Sequence, residues 1–175
     1  MNQVIHIPLG KFIECGSIVR MRVVLDTNVL IDGFNDDFCS EAKLIDAVTE
    51  GSITAIASHK MLGEYRLILR RLIDDREYRT KLENFFAMLE DADPEHVDAV
   101  IDDKEDLKFL EAAIGGEADV VITSDKHLLD VGEVDGVRVL TPDEAWRRAQ
   151  EENGGSQEWQ SFVTGWGIGS SDKEL

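Results

Sequence analysis

The stretch Arg22–Ile31 (RVVLDTNVLI) is the feature that most constrains what this chain can fold into. Val23, Val24 and Leu25 form a short apolar run, which is typical of a buried strand in a parallel sheet. Asp26 follows directly and would lie at the carboxyl end of that strand, where open α/β sheets bind ligands. The alternative is that Asp26 only caps the following helix, because aspartate is a favoured cap residue. The stretch alone leaves both interpretations open.

Short apolar runs alternate with helical patterns along the rest of the chain. This alternation predicts an α/β fold with a parallel sheet of about five strands and helices on both faces. The predicted strands are 23–25, 53–57, 96–101, 120–123 and 137–140, and the predicted helices are 29–34, 38–50, 59–73, 76–89, 104–114, 126–130 and 144–152. Ser58 is a favourable cap for the helix that follows it. Thr141–Glu144 has the pattern of a capping box with proline at the first helical position.

The domain organisation predicted from these patterns is a single domain over residues 21–152. Residues 1–20 form an N-terminal extension, and one hypothesis is that translation begins at Met21. Residues 153–175 are rich in glycine and serine, which predicts a flexible tail. Trp159, Phe162 and Trp166 within that tail either form an interaction surface or fold back on the domain.

The overall charge restricts the partners of this chain. Its formal net charge is −18, whereas nucleic-acid binding usually requires a basic surface. An acidic chain can bind nucleic acid where metal ions neutralise its carboxylates and a local basic patch exists. The two cysteines have no metal-type spacing, and the sequence predicts neither a signal peptide nor a membrane span. We therefore expect a cytoplasmic protein without membrane association.

Four acidic residues stand in a recognisable order along the chain. They are Asp26 after the first strand, Glu64 in a helix, Asp106 near a helix start, and Asp125 after a later strand. The matching segments are VLDTNVL at 24–30, Ser58 with Glu64-Tyr65, DKEDLKFLEAA at 103–113 and ADVVITSDKHLL at 118–129. In sequence, order and spacing these segments resemble the PIN domain family of metal-dependent ribonucleases over about residues 21–146.

The resemblance implies a three-layer PIN-like fold that gathers these four acids in one cleft as catalytic residues. It assigns Asp26 and Asp125 as direct ligands of Mg²⁺ or Mn²⁺, Asp106 as a direct or water-mediated ligand, and Glu64 as the group that positions metal-bound water. The neighbouring polar residues that would support them are Thr27, Asn28, Thr123 and Ser124. Carboxylates 4 Å apart repel by about 4 kcal/mol at an effective dielectric near 20, so such a cleft must bind protons or cations. Oxygen ligands favour hard divalent ions.

Other interpretations of the acidic residues stay open. Glu64 could be a solvated helix residue, and Asp106 could act only on the helix dipole. Asp103 competes with Asp106 for the same role. Some PIN relatives carry a further acid where this chain has His127, so a second metal site is in doubt.

Basic residues are concentrated between positions 66 and 81. Six of them, against three acids, give a local charge of +3. We interpret this segment as a phosphate-contact patch for RNA, formed by Arg66, Arg70 and Arg71 with Lys126 nearby. The alternative is a solvated face with internal ion pairs.

The first functional prediction is a Mg²⁺-dependent endoribonuclease similar to the toxins of prokaryotic toxin–antitoxin systems. Its partners would be an RNA substrate, an antitoxin protein and a second copy of itself. An RNA-maturation nuclease of the same fold, a non-catalytic binding module and a phosphoacceptor receiver domain are the alternatives. The receiver is disfavoured because no adjacent acidic pair precedes the first helix, and the strand at 53–57 ends in Ser58-His59.

Overall fold

A computed structural model describes residues 20–99, 101, 104–153 and 157–165 of the 175-residue chain. Its elements are β1 (Arg22–Leu25), α1 (Thr27–Asp32), α2 (Ser40–Thr49), β2 (Thr54–Ala57), α3 (His59–Leu72), α4 (Arg76–Ala87), β3 (Glu90–Asp91), a 3₁₀ turn (Lys104–Asp106), α5 (Leu107–Gly115), β4 (Val120–Ile122), α6 (Lys126–Leu129), β5 (Glu133–Val134), β6 (Val137–Leu140), α7 (Pro142–Asn153) and α8 (Gln157–Gly165). The predicted extension over residues 1–19, the competing acid Asp103 and residues 154–156 and 166–175 of the predicted tail lie outside the described residues.

Six strands form one sheet in the order β3-β2-β1-β4-β6-β5. All neighbouring strands run parallel except β5, which is antiparallel to β6. Helix α5 packs against β1, β2, β4 and β6, while α7 packs against α2 and β4. This burial explains the continuous apolar runs Val23–Leu25 and Val120–Ile122. The predicted α/β class with a parallel sheet flanked by helices is confirmed, although the sheet has six strands, two of which the sequence did not predict.

The strand order reverses direction at β1. Strands β2 and β3 lie on one side of β1, whereas β4 and β6 lie on the other. In open α/β sheets, ligands bind beyond the carboxyl ends of the strands at such a switch point. The registers Val24↔Val121 and Leu25↔Ile122 align the ends of β1 and β4. The residues that follow these two strands therefore meet at the edge where a binding site is expected.

The predicted strand at 96–101 is wrong. Residues 92–99 and 101 form no regular element, and the strand that pairs with β2 is Glu90–Asp91. This edge strand is two residues long and its side chains are exposed, so it lacks the apolar run by which buried strands are recognised. Val97 is buried, which shows that the apolar residues of the segment pack in the core without forming a ladder.

A short hairpin between β5 and β6 was missed by the sequence prediction. Its two-residue turn is Asp135-Gly136, with φ of 50° and 85° respectively. Two successive positive φ angles are the requirement of the type I′ turn, which favours Asp-Gly. The dipeptide before the predicted strand 137–140 was therefore a readable hairpin signal.

Both predicted helix starts are confirmed by their capping bonds. The Ser58 hydroxyl accepts a bond from the Met61 amide at 3.4 Å. The Thr141 amide and hydroxyl donate to Glu144 Oε2 at 3.0 and 2.8 Å, and the Glu144 amide donates to Thr141 Oγ1 at 3.3 Å. Helix α8 occupies part of the segment that was expected to be a flexible tail.

Across the described ranges, no helix combines the length and apolarity that a bilayer crossing demands.

Candidate active site

Asp26 lies at the carboxyl end of β1, in the centre of the sheet. Its backbone amide continues the ladder to β4 by donating to the Ile122 carbonyl at 2.9 Å. Its side chain is 8% exposed. Asp26 occupies the N-cap position of α1, yet its side chain makes no capping hydrogen bond. The backbone N–H groups of Thr27 and Asn28 lower the pKa of this carboxyl, but no capping bond with regular geometry accounts for its burial.

The Thr123 hydroxyl joins the ends of the two central strands. Thr123 follows β4 and is fully buried. Its Oγ1 donates to Asp26 Oδ2 at 2.6 Å and accepts from the backbone amide of Asp125 at 2.9 Å. One hydroxyl thus connects the two residues that the sequence predicts as direct metal ligands.

Asn28 completes this hydrogen-bonded cluster from the first turn of α1. Its Nδ2 donates to Asp26 Oδ2 at 2.9 Å and to Thr123 Oγ1 at 3.3 Å. Its Oδ1 accepts from the backbone amide of Ser124 at 3.4 Å. The predicted supporting residues therefore meet around Asp26, although Ser124 takes part through its backbone.

Thr27 is buried beside Asp26 at the start of α1. Its Oγ1 has no hydrogen-bond partner within the part of the chain that the structure describes. An unpaired buried hydroxyl is costly and calls for a specific explanation, such as a bound ligand or water.

Asp125 precedes α6 and is partly buried. Its Oδ1 accepts a capping hydrogen bond from the His127 amide at 2.7 Å. This bond orients the carboxylate and engages one of its two oxygens. His127 itself is exposed.

Glu64 lies on α3 and forms a close ion pair with Lys108 of α5. The Lys108 ammonium is 2.7 Å from Oε1 and 2.8 Å from Oε2 of Glu64. The Lys108 side chain is only 11% exposed, and its Nζ lies 4.9 Å from the centroid of the Phe109 ring. Glu64 is therefore not a solvated helix residue.

Tyr65 anchors α3 to the end of β1. Its side chain is buried, and its hydroxyl donates to the carbonyl of Leu25, the residue directly before Asp26. Burial raises the pKa of the Tyr65 phenol well above its usual value, and the charges of Asp26 and Glu64 raise it further. The two acids therefore act on the same phenol from nearby positions.

Tyr65 and Lys108 lie within the acidic segments, but the sequence pattern predicts a role for neither of them. The available signals were the direct adjacency of Tyr65 to Glu64 and a lysine flanked by Leu107 and Phe109 in an apolar helix. A lysine in such a context is a candidate for a buried ion pair.

Asp106 ends the 3₁₀ turn and is partly buried, two residues before Lys108. Its side chain does not cap α5. Among the residues that the structure describes, no three acidic, histidine or cysteine side chains are close enough together to hold a metal ion by themselves. The assignment of Asp26, Asp106 and Asp125 as ligands accordingly stays a prediction.

The protonation of Asp26 is governed by its burial. Desolvation raises the pKa of this carboxyl, and the hydrogen bond from Thr123 and the charge of Lys108 offset part of that rise. A buried carboxylate that must be ionised to bind a cation carries a stability cost, which bound positive charge relieves.

The basic residues predicted to contact RNA are divided between two surfaces. Arg66 and Arg70 line a groove of about 400 Å³ between α3 and α4, together with Arg76 and Arg79. Arg71 is exposed on α3 and does not line the groove, while Lys126 is exposed at the start of α6, next to Asp125. Arg79 pairs with Asp74 at 2.6 Å and the Arg66 guanidinium lies 5.7 Å from the Phe86 ring centroid. Arg79 therefore takes part in an internal ion pair, which is the alternative to phosphate contact considered from the sequence.

The fold and the site together define a doubly wound α/β protein with a buried carboxylate, Asp26, at its switch point. Residues 22–127 match a family model described as PIN domain, and the chain belongs to the PIN domain family. PIN domains are generally nucleases.

Among solved structures, the chain is similar to VapBC2 from Rickettsia felis, which was crystallised bound to a DNA fragment from its promoter. The TM-score is 0.48 and the identity 17%, over 69% of this chain and 98% of the other. No curated protein matches the chain.

The first prediction concerns the Tyr65 anchor. Tyr65→Phe should lower the free energy of unfolding by about 1–3 kcal/mol, because it leaves the buried Leu25 carbonyl unpaired. The same substitution should shift the amide NMR signals of Asp26 and Glu64. Tyr78→Phe is the matched control, since the Tyr78 hydroxyl donates to the Leu30 carbonyl at 2.7 Å. Equal shifts at Asp26 and Glu64 in both variants would refute the anchoring role.

The second prediction concerns the ionisation of Asp26. Because its folded-state pKa is raised above 3.8, the folded protein holds this proton more tightly than the unfolded chain does. The stability cost of ionisation is therefore absent below pH 3.8 and complete above the folded-state pKa. Asp26→Asn should be more stable than the wild type at pH 7, with the difference shrinking as the pH falls.

Urea denaturation at several pH values measures this effect. Asp130→Asn removes the same charge at an exposed position and should show no such pH-dependent gain. A loss of stability in Asp26→Asn at pH 7, or a difference that does not change with pH, contradicts the prediction.

Proposed function

We propose that this protein is a metal-dependent endoribonuclease that hydrolyses RNA phosphodiester bonds with Mg²⁺ or Mn²⁺. The observation that carries the proposal is the buried Asp26 carboxylate, which one hydroxyl connects to Asp125 at the carboxyl edge of β1 and β4. Membership of the PIN family supports the nuclease class. The catalytic residues proposed are Asp26, Glu64, Asp106 and Asp125.

The donor set suits a hard divalent ion. Mg²⁺ is usually bound through one or two carboxylates, with water and substrate phosphates completing its shell. Asp26 and Asp125 supply such a pair, and Asp106 would join directly or through water. The Thr27 hydroxyl, buried without a partner among the described residues, offers one more oxygen beside Asp26. Two carboxylates therefore suffice here without a third acid in direct contact.

The surrounding residues have definable roles in such a reaction. When bound, the ion would lower the pKa of a water and stabilise the charge that develops on the phosphate. Thr123 and Asn28 both donate to Oδ2 of Asp26, which fixes the carboxylate and keeps it ionised. Glu64 would orient the attacking water by hydrogen bonding. No serine, cysteine or histidine nucleophile is required.

The groove between α3 and α4 is the proposed RNA surface. Arg66, Arg70 and Arg76 are exposed along it, and Arg66 and Arg70 share helix α3 with Glu64. Guanidinium groups bind phosphate oxygens in pairs and stack on bases. An RNA strand that passes from the acidic site around α3 to the side facing α4 would meet these arginines. Their positive charge would locally offset the net charge of −18. Lys126, beside Asp125, would contact the phosphate next to the scissile bond.

The third prediction tests this RNA surface. Arg70→Ser combined with Arg76→Ser should weaken binding of single-stranded RNA to the catalytically inactive Asp26→Asn background. The slope of log K against log salt should flatten by about 0.7 for each phosphate that the variant no longer neutralises. Arg147→Ser/Arg138→Ser, which removes two exposed arginines on α7 and β6, is the control. Unchanged affinity and slope in the α3–α4 variant would refute the surface.

The fourth prediction tests the reaction itself. Wild-type protein should cleave a pool of RNAs in the presence of Mg²⁺ or Mn²⁺ and should not cleave it in EDTA. The cleavage rates of Asp26→Asn and Asp125→Asn should each fall by at least about a hundredfold, as expected for loss of a metal ligand. Asp130→Asn should retain wild-type activity. Equal cleavage by the wild type and Asp26→Asn would mean that the catalytic residues lie elsewhere or that a contaminating nuclease is present. Absence of cleavage by the wild type would favour the alternative that this protein is a non-catalytic binding module.

We further propose that the protein is the toxin of a toxin–antitoxin pair in the cytoplasm, with an antitoxin protein as partner and a homodimer as its assembly. Leu67 and Leu72 are 52% and 61% exposed on different sides of α3, so each could contribute a single apolar contact to a protein partner. Growth arrest on induced expression, abolished by Asp26→Asn and relieved by the product of an adjacent gene, would support the toxin role. Expression without growth arrest would favour an RNA-maturation nuclease.

A further inference from the structure

The ion pair between Lys108 and Glu64 places a fixed positive charge inside the acidic site. The ammonium contacts both Glu64 oxygens, at 2.7 and 2.8 Å. Both side chains are largely withdrawn from water, with exposures of 11% and 29%. The pair joins α3 to α5 across a sequence separation of 44 residues. Such a pair is screened little by solvent and holds its geometry through the packing of both helices.

The bound ammonium changes which carboxylates are available to a divalent ion. A carboxylate whose two oxygens contact an ammonium has its charge neutralised and its chelating edge covered. The ammonium also repels a second cation at that position. Asp26 and Asp125, by contrast, contact only hydroxyl, amide and backbone N–H groups in the hydrogen bonds described above. The Asp26–Asp125 side of the site is therefore the side left for a metal ion.

We propose that Lys108 takes the place of a second metal ion, so that the site binds one divalent ion at Asp26 and Asp125 while the Lys108 ammonium occupies Glu64. This inference rests on the proposed metal-dependent function and deepens it. His127, which stands where some relatives carry a further acid, is in keeping with a single ion. Lys108 is in this view a positioning residue that holds the Glu64 carboxylate in the orientation from which it would contact the attacking water.

The test counts Mn²⁺ ions bound at pH 7 by isothermal titration and by electron paramagnetic resonance of free Mn²⁺, without RNA. Wild type should bind one ion, and Glu64→Gln should also bind one. Lys108→Met, which keeps the aliphatic stem, should bind two because Glu64 becomes available. Lys108→Met combined with Glu64→Gln should return to one. Lys104→Met removes an exposed lysine four residues away and should leave the count at one.

Binding of two Mn²⁺ ions by the wild type would refute the proposed role of Lys108 and leave the proposed nuclease function intact. Binding of only one Mn²⁺ ion by Lys108→Met would also refute the role of Lys108. Failure of the wild type to bind any Mn²⁺ would overturn the metal-dependent function together with this inference. If Lys108→Met does not fold, the Mn²⁺ counts of the wild type and Glu64→Gln still test the proposal. A site that holds two metal ions should lose one of them when the Glu64 carboxylate is removed, whereas a site with one ion at Asp26 and Asp125 should not.

Discussion

The parallel pairing of β1 with β4 is the constraint on which the rest of the site depends. The register Leu25↔Ile122 aligns the two strand ends, so the residue after one strand faces the residue after the other. Thr123 can then donate to Asp26 and accept from the amide of Asp125. A shift of one residue would turn Thr123 to the opposite face of the sheet, and would break the link between the Asp26 carboxylate and the backbone amide of Asp125.

Two ways of handling negative charge coexist in this pocket. Glu64 is compensated by an internal cation, Lys108, whereas Asp26 is held by neutral donors and has a raised pKa because of its burial. Neutral donors can hold a carboxylate in place without cancelling its charge. Asp26, which feels the charge of Lys108 without an ion-pair contact to it, is therefore the acid better placed to attract an external cation. This asymmetry supports the different roles proposed for the two acids.

Local sequence signals predicted the parts of the fold that depend on neighbouring residues. Asp26 was found because it follows an apolar run directly, and α7 was found because the capping box is formed within four residues. The contact between Glu64 and Lys108 depends on how α3 and α5 converge over the sheet, which no local pattern encodes. Strand β3 cannot be predicted from an apolar pattern because its two residues are exposed. The hairpin at Asp135-Gly136 is encoded locally, by a dipeptide suited to two positive φ angles.

Net charge describes the whole surface, whereas binding depends on the field at one place. With 36 acidic and 18 basic residues, the chain should repel RNA on average. Ionic strength near physiological limits such repulsion to a range of about 8 Å, so distant acids contribute little at the groove between α3 and α4. The arginines there would act on phosphate at contact distance if RNA binds as proposed. A strongly acidic protein would then bind RNA along one groove, and its remaining surface would disfavour nonspecific adsorption to nucleic acid.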